Sequence, residues 1–495
     1  MSSEKRLHPV AMLIGAIKTT RRWISGLVFP GIALLISQGF SLRTLALFLL
    51  GILIVSALAA LWGFLTWRAT TYEVTANSFR LKQGVIQKNE RTIPLEHVQS
   101  VDTVQGVIQR FFGVVEVRVE TAGGGASEPD ASLSALDRAA AHELRREIEG
   151  SQGERSEETT RGPAFLRRLS ARELLVAGAT SGQIGIAFSL LAVGSQFLDD
   201  FLSDDFIRRL VETLMPNWLM VLLILIPVGL LLAWLLAIAG TVLAYNGFTL
   251  SREGNFLYIK RGLLERREAT IPLSRIQAIR ISEGLLRQPF GLAALRVESA
   301  GYGGDAGVST MLFPLLPRNE VAKLLAEAVP EFAIDPALTP LPRRALGRYV
   351  FRSTFLALIV AFANALLSLL VFQTTSGLLA SLLILPAAAY GWLSYRDAGW
   401  AFEGDRLVVR YRSLGRKTAI APRRRLQSRG VVRTPFQRRV RLATFVAEIA
   451  SGSGGFALRV RDLDAGSARD LVVALSARPV PLRTYDGPGA QGTSA

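Results

Sequence analysis

Ile93-Pro94-Leu95-Glu96-His97-Val98-Gln99 opens a stretch that ends at Glu120-Thr121-Ala122-Gly123, and this stretch occurs three times in the chain. The second copy runs from Ile271-Pro272-Leu273 to Glu298-Ser299-Ala300-Gly301, and the third runs from Ala421-Pro422-Arg423 to Glu448-Ile449-Ala450-Ser451. A glutamine and a glutamate keep the same offset from the proline in every copy: Gln99, Gln277 and Gln427, then Glu120, Glu298 and Glu448. Ungapped matches of this kind indicate an internal repeat, so we interpret the chain as one unit written three times.

Two long apolar runs precede each copy and predict a helical hairpin. Half of the 495 residues are hydrophobic, and the mean hydropathy is +0.32, which is typical of a membrane protein. A spanning helix needs about 20 apolar residues. The runs lack charged side chains and lie at 23–38, 44–67, 174–197, 218–245, 353–372 and 378–395. The sequence therefore predicts six transmembrane helices in three hairpins.

The period of the sequence changes after each hairpin. Val115-Glu116-Val117-Arg118-Val119-Glu120 alternates apolar and polar side chains, as a half-buried strand does. Apolar residues at helical spacing predict a helix over 130–148, and a serine starts a short final helix over 467–475. We expect each module to contain several strands and one C-terminal helix, and 246–332 to fold alone.

Charged flanks predict the orientation. Arg167, Arg168 and Arg172 precede the second hairpin, whereas its connection is acidic at 199–205. Short flanks of membrane helices that are rich in lysine and arginine remain on the cytoplasmic side of the membrane. We therefore expect the modules and the basic segment 1–22 to be cytoplasmic.

The sequence lacks the residue patterns that catalytic, cofactor and metal sites require. The chain has no cysteine and three histidines, none at metal-ligand spacing from another. The repeated glutamates have no acid-base partner in the sequence, so a structural salt bridge is favoured over catalysis. The glycine-rich loop at 301–307 leads into a strand, and a phosphate-binding loop would lead into a helix. We predict no enzyme activity and no catalytic, cofactor or metal site.

Arginines accumulate in the third module and give the one candidate binding surface. Guanidinium groups present paired donors to phosphate, and a module beside the inner leaflet meets anionic lipid. The alternatives are nucleic acid, for which stacking aromatic residues are sparse, and a solvated basic face. The candidate contacts to anionic lipid are Arg423, Arg424, Arg425 and Arg429. Alternation along this segment predicts that Arg423 and Arg425 share a face and that Leu426, on the opposite face, helps to fill the core.

The hairpin, the strand-rich module, the Ile-Pro-Leu motif, the glycine loop and the final helix together resemble the bacterial membrane-flanked pleckstrin-homology-like (YdbS-like PH domain) family. The triplicated arrangement is most similar to its three-repeat YdbT-like members. The resemblance implies a seven-stranded, strongly bent sheet capped by a helix in each module, and it supplies no catalytic residues. Gly84 and Gly262 stand at the same distance before the repeat proline, where a hairpin turn favours glycine. The third module departs from the pattern, because this turn glycine is missing before Pro422 and Arg441 stands where Gly113 and Gly291 stand.

The expected fold is thus a multi-pass α-helical membrane protein with three PH-like β-barrel or sandwich modules. The predicted segments are a basic N-terminus 1–22, hairpins 23–67, 174–245 and 353–395, modules 68–150, 246–332 and 396–478, linkers 151–173 and 333–352, and a disordered tail 479–495.

The expected function is that of a non-enzymatic bacterial inner-membrane protein. It would present cytoplasmic modules as a scaffold or envelope-protection component and bind protein partners or anionic lipid. A transporter or export accessory, whose six helices form or gate a path, is the alternative. The expected partners are the lipid bilayer and a companion membrane protein of the same family, but not nucleic acid. The oligomeric state is left open.

Overall fold

The structure is a computed structural model, and it describes residues 4–38, 42–75, 77–121, 131–151, 164–181, 189, 218–299, 311–370, 376–450 and 456–476. The three glycine-rich loops, the acidic connection 199–205 and the tail 479–495 lie outside these residues. The described chain divides into two compact units. The first comprises Met1–Ala171 and Gly240–Arg275, and the second comprises Arg172–Ala239 and Ile276–Ala495.

Helices and strands alternate in blocks along the first part of the chain. In chain order they are β1 Lys5–Arg6, α1 Val10–Gln38, α2 Leu42–Ala69, β2 Thr71–Val74, β3 Ser78–Gln83, β4 Asn89–Pro94, β5 Val98–Gln105, α3 Val107–Phe111, β6 Val114–Thr121, β7 Ala131–Asp137, α4 Arg138–Ser151, β8 Ala164–Arg168, α5 Ala171–Ala179, α6 Trp218–Tyr245, β9 Thr249–Glu253, β10 Phe256–Arg261 and β11 Arg266–Pro272.

The same order of elements continues to the end of the described chain. The elements are β12 Ile276–Glu283, β13 Leu292–Ser299, β14 Met311–Pro317, α7 Val321–Ala328, β15 Thr339–Pro340, α8 Leu346–Leu370, α9 Ile384–Asp397, β16 Gly399–Glu403, β17 Arg406–Arg412, β18 Arg416–Pro422, β19 Leu426–Val432, α10 Pro435–Arg439, β20 Leu442–Ile449, β21 Phe456–Asp464 and α11 Ala465–Leu475.

Each module contains seven strands and a closing helix, and its first strand precedes the apolar helices. These first strands are β1, β8 and β15, each of which pairs with the strand that follows the hairpin. Each hairpin segment is therefore an insertion between the first and second strands of a PH-like module. The three first strands lie in the predicted basic N-terminus 1–22 and in the predicted linkers 151–173 and 333–352.

The sheets join neighbouring modules. Strand β5 of the first module pairs antiparallel with β11 of the second, and β12 of the second pairs with β18 of the third. Each seven-stranded sheet therefore takes three strands from one sequence repeat and four from the next. Module 246–332, expected to fold alone, shares strands with both neighbouring repeats.

The prediction of six transmembrane helices is wrong, because the described residues contain four helices that are long and apolar enough to span a membrane. These spans are Ala46–Ala69, Ile226–Tyr245, Arg343–Leu370 and Gly377–Asp397. The first predicted run, 23–38, forms the second half of α1, whose first half carries Lys18, Arg21 and Arg22. Its uncharged part is shorter than the roughly 20 residues that a span requires. Most of the third run, 174–197, lies outside the described residues.

Two helix predictions also need correction at their starts. Residues 131–137 form β7, because Ala131, Leu133 and Ala135 face the core of a sheet rather than one side of a helix. The helix begins at Arg138. The final helix is capped by Asp464, whose carboxylate accepts hydrogen bonds from the backbone N–H groups of Gly466 and Ser467, and not by Ser467.

Buried apolar side chains form a hydrophobic core in each unit. In the first unit, Phe79, Val117 and Leu133 lie in one cluster with Leu144 and Ile148 of α4. In the second unit, a comparable cluster closes on α11 and includes Leu426, as predicted. Many apolar side chains of α8 and α9 are exposed instead, as expected of helices whose solvent is lipid.

Candidate functional site

The last strand of every module carries an irregularity at the same place. The pairing register shifts between Val115 and Val117, between Ala293 and Leu295, and between Ala443 and Phe445. The second residue of the bulge is Ala135 in the first module, Leu315 in the second and Asp462 in the third. A bulge redirects a side chain and is frequent beside functional sites. Only the third module places a charge there.

Asp462 is a buried, charged residue in a strained backbone conformation. It is 0% exposed, and its φ of 56° lies in the left-handed region that side chains disfavour. Its Oδ1 accepts hydrogen bonds from Arg348 Nε at 2.8 Å and from Gln437 Nε2 at 2.8 Å. Its Oδ2 accepts a hydrogen bond from Arg352 Nη2. These contacts pair the buried charge, as a stable fold requires.

The two arginines come from the first turns of α8. Residues four apart lie on one face of a helix, so Arg348 and Arg352 reach the same carboxylate. At the other end of the hairpin, Asp397 closes α9 and accepts hydrogen bonds from Arg412 Nε at 2.6 Å and Arg416 Nη2 at 3.0 Å. Arg412 occupies the position of the turn glycines Gly84 and Gly262. In the third module, the turn glycine is thus replaced by Arg412, which donates a hydrogen bond to Asp397.

The other modules also hold a hairpin helix through a cation, with different residues. In the first, Lys18 of α1 lies 3.6 Å from Glu116 of β6. Burial raises the pKa of Glu116, but Lys18, Arg118 and a hydrogen bond from Ser132 outweigh it and bring the pKa below its ordinary value. In the second, Arg287 donates to the Ala177 carbonyl oxygen at 3.2 Å. Such contacts couple the position of each module to the helix that carries it.

Two adjoining cavities open around the Asp462 cluster in the third module. The larger, of about 1050 Å³, is lined by five arginines and two carboxylates: Arg348, Arg352, Arg429, Arg459 and Arg461, with Glu448 and Asp462. The smaller, of about 660 Å³, shares Arg352, Arg459 and Arg461 and adds Tyr349, Tyr390 and Tyr411. Burial raises the pKa of the Tyr411 hydroxyl above its ordinary value. The cavities have an excess of positive charge and several donors.

The cavities lie where the third hairpin begins. Arg348 and Arg352 are the last charged residues before the uncharged part of α8, within the candidate span Arg343–Leu370. Tyr390 lies in α9, in the span Gly377–Asp397. Arginine and tyrosine near the end of a span lie at the depth of the lipid headgroups. An anion at that depth is therefore within reach of the cavities.

The structure separates the four candidate arginines. Arg429 lines the larger cavity. Arg423 lies 2.8 Å from Asp405, and Arg424 donates to Glu331 Oε1 at 2.9 Å. Residues Arg423–Arg425 form a single 3-10 turn, so the alternation expected for an extended segment does not apply to them.

The repeated glutamates make structural contacts where they are described. Glu298 forms an ion pair with Arg280 on the neighbouring strand, and burial raises its pKa despite that arginine. Glu448 Oε2 accepts a hydrogen bond from Ser428 Oγ at 2.7 Å. The described residues contain no cluster of histidine, aspartate and glutamate that could hold a metal ion.

Sequence reasoning missed Asp462, Arg348 and Arg352. One signal was available, since arginines at helical spacing directly precede the third hairpin. The partner carboxylate was not identifiable, because Asp462 follows a loop in which the repeats no longer align.

Comparisons with known proteins agree with this architecture. The model of the family described as Bacterial PH domain matches residues 23–152, 209–329 and 354–478. A relative from Bacillus subtilis (strain 168), the UPF0699 transmembrane protein YdbT, is 32% identical over 482 residues, which cover 94% of this chain and 96% of the relative. No solved structure matches the chain. Three family matches, a transmembrane relative that spans nearly the whole chain and the three helix-bearing modules show that this membrane protein belongs to the Bacterial PH domain family.

Proposed function

We propose that the protein is a non-enzymatic membrane component whose third module binds the phosphate headgroup of anionic lipid. The observation that carries this proposal is the arginine-lined cavity of about 1050 Å³ at the start of α8. In this proposal the cavity faces the cytoplasmic leaflet, which is where anionic lipid attracts basic segments. The protein would then act as a scaffold that orients its PH-like modules on that leaflet.

The arginines of the cavity divide into two roles. Arg348 and Arg352 are held by Asp462, so their geometry is fixed before any ligand arrives. Arg459 and Arg461 are exposed on β21 and line both cavities. A guanidinium group offers two parallel N–H donors to phosphate. We assign the first pair to positioning and the second pair, with Arg429, to headgroup contact.

The test uses the full chain, purified in mild detergent and titrated with phosphatidylglycerol or phosphatidylcholine under native mass spectrometry. A basic residue at the membrane surface contributes about 1 kcal/mol. The double variant Arg459→Gln/Arg461→Gln should therefore bind phosphatidylglycerol about 30-fold more weakly, since 1.4 kcal/mol corresponds to a factor of ten.

Arg469→Gln is the matched control, because Arg469 is exposed on α11 and does not line either cavity. It should retain the affinity of the unmodified chain. The proposal would be contradicted if the unmodified chain bound phosphatidylcholine as tightly as phosphatidylglycerol. It would also be contradicted if Arg469→Gln lost as much affinity as the double variant.

A further inference from the structure

The two internal junctions between modules obey one rule of pairing. In the first, Gln105 of β5 faces Arg266 of β11. In the second, Glu283 of β12 faces Arg416 of β18. In both, the eleventh residue after the repeat proline of one module faces the sixth residue before the proline of the next. The register is therefore a property of the repeated unit.

Within the described residues, two strands that correspond to these junction strands have a partner strand on one side only. Strand β4 ends the four-stranded sheet, and β19 ends the three-stranded sheet. The first four residues of β4 are exposed, whereas four of the seven residues of β11 and five of the seven residues of β18 are buried. Strand β19 is likewise mostly accessible, with one buried residue, whereas β12 has five. Each of these two edge strands is the counterpart of a strand that completes a junction elsewhere in the chain.

We propose that β19 of one copy of the chain pairs antiparallel with β4 of a second copy, in the register of the internal junctions. That register sets Val432 opposite Asn89 and Val431 opposite Glu90. An exposed strand edge presents unsatisfied backbone donors and acceptors and is a template for a further strand. Strand β4 of the second copy corresponds to β11 and β18, the strands with which β5 and β12 pair inside the chain. The contact is heterologous, so successive copies form a ring or an open chain in the membrane.

Charge makes this contact weaker than the internal ones. In the second internal junction, Arg416 Nη1 lies 3.3 Å from Glu283 Oε2. The equivalent pair between copies is Arg433 opposite Lys88, which places like charges across the strands. Association is thus reversible where the internal junctions are permanent. Arg433→Glu would restore the polarity of the Glu283–Arg416 pair and strengthen the contact.

Disulfide cross-linking of the full chain tests the register, because the chain contains no cysteine. Opposed residues of antiparallel strands have Cα atoms about 4.5–5.5 Å apart, which fits a disulfide. Two copies, one with Val431→Cys and one with Glu90→Cys, are reconstituted together in liposomes and mildly oxidised. We expect a covalent dimer from this pair, and the same from Val432→Cys with Asn89→Cys.

The matched control pairs Ser428→Cys with Glu90→Cys, which the register places three residues apart along the strand. It should give at least tenfold less dimer. Arg433→Glu, added to the Val431→Cys copy, should raise the dimer yield severalfold without altering the strands. The proposal is overturned if neither in-register pair cross-links, or if the control cross-links equally. It is also overturned if a single copy that carries both Val431→Cys and Glu90→Cys closes on itself.

Discussion

Replacing Asp462 tests whether the buried carboxylate holds the third module on its hairpin. Asp462→Asn keeps the shape and tolerates the left-handed backbone but removes the charge. A hydrogen bond to a charged group contributes about 1.5–3 kcal/mol. Asparagine keeps one acceptor oxygen, so one of the two arginine bonds is lost and the other becomes a bond to a neutral amide. The Arg348 and Arg352 side chains are 28% and 40% exposed, and water compensates part of the loss. We expect a net destabilisation of about 2–3 kcal/mol.

Hydrogen–deuterium exchange of the full chain measures this locally, which suits a protein of several cooperative units. A loss of 2–3 kcal/mol accelerates exchange about 30- to 150-fold. The acceleration should appear in β21 and the first turns of α8. Strand β7, which carries Ala135 at the same bulge, should not change.

Asp405→Asn is the matched control for Asp462→Asn. Asp405 also has a positive φ, of 62°, and also pairs with an arginine, Arg423, but its side chain is 55% exposed. An exposed pair contributes little, so exchange near β17 should change less than threefold. If both variants behave alike, or if Asp462→Asn leaves β21 unchanged, burial of the pair does not stabilise the module as argued.

Three further outcomes are expected. Arg441 has a φ of 51° where the other modules have glycine, so Arg441→Gly should slow exchange of β20 about fivefold, by relief of roughly 1 kcal/mol of strain, whereas Arg441→Ala should not. The lowered pKa of Glu116 means that its contribution is complete above its ordinary value of 4.5 and is lost as pH falls through the lower, folded-state pKa. Glu116→Gln should therefore flatten the acid limb of the first unit's stability curve, measured by exchange between pH 3 and 6. For orientation, an impermeant thiol reagent on spheroplasts should label Ser203→Cys and spare Ser156→Cys; the reverse would place the modules outside.

Local patterns predicted the repeat and much of its strand content. The turn glycines are an example: Gly84 and Gly262 have φ values of 111° and 104°, and a Cβ on either would lie 1.9 Å from a backbone oxygen. Spacing from the proline identified both, because a turn is encoded within a few residues. Arg412 shows the limit of that reasoning, since its contact with Asp397 depends on the end of a helix that the spacing does not describe.

Pairing between modules was not predictable from the pattern. The hydrogen bonds that join β5 to β11 are made by backbone groups, which all sequences share. The first strands were also hidden, because Lys5–Arg6 and Thr339–Pro340 are too short to show alternation. The predicted number of spanning helices was wrong for a related reason, since α1 continues from a basic segment into an apolar one without a break.

Lipid binding by the four arginines chosen from the sequence stays a prediction. Arginine content pointed to the third module, and Arg429 does line its cavity. Composition did not distinguish Arg429 from Arg423 and Arg424, which bind nearby carboxylates. Such a distinction depends on contacts between residues that lie far apart in the chain.

During synthesis, β5 cannot pair with β11 until the later strand has also been made. Gln105 leaves the ribosome about 160 residues before Arg266, its partner across the sheet. At about 5–20 residues per second, this interval is about 10 to 30 s. The span Ile226–Tyr245 is synthesised in the meantime, before β5 can pair with β11. A nascent chain therefore depends on prompt insertion of this span, because a delay leaves the edge of β5 exposed to pairing with neighbouring chains.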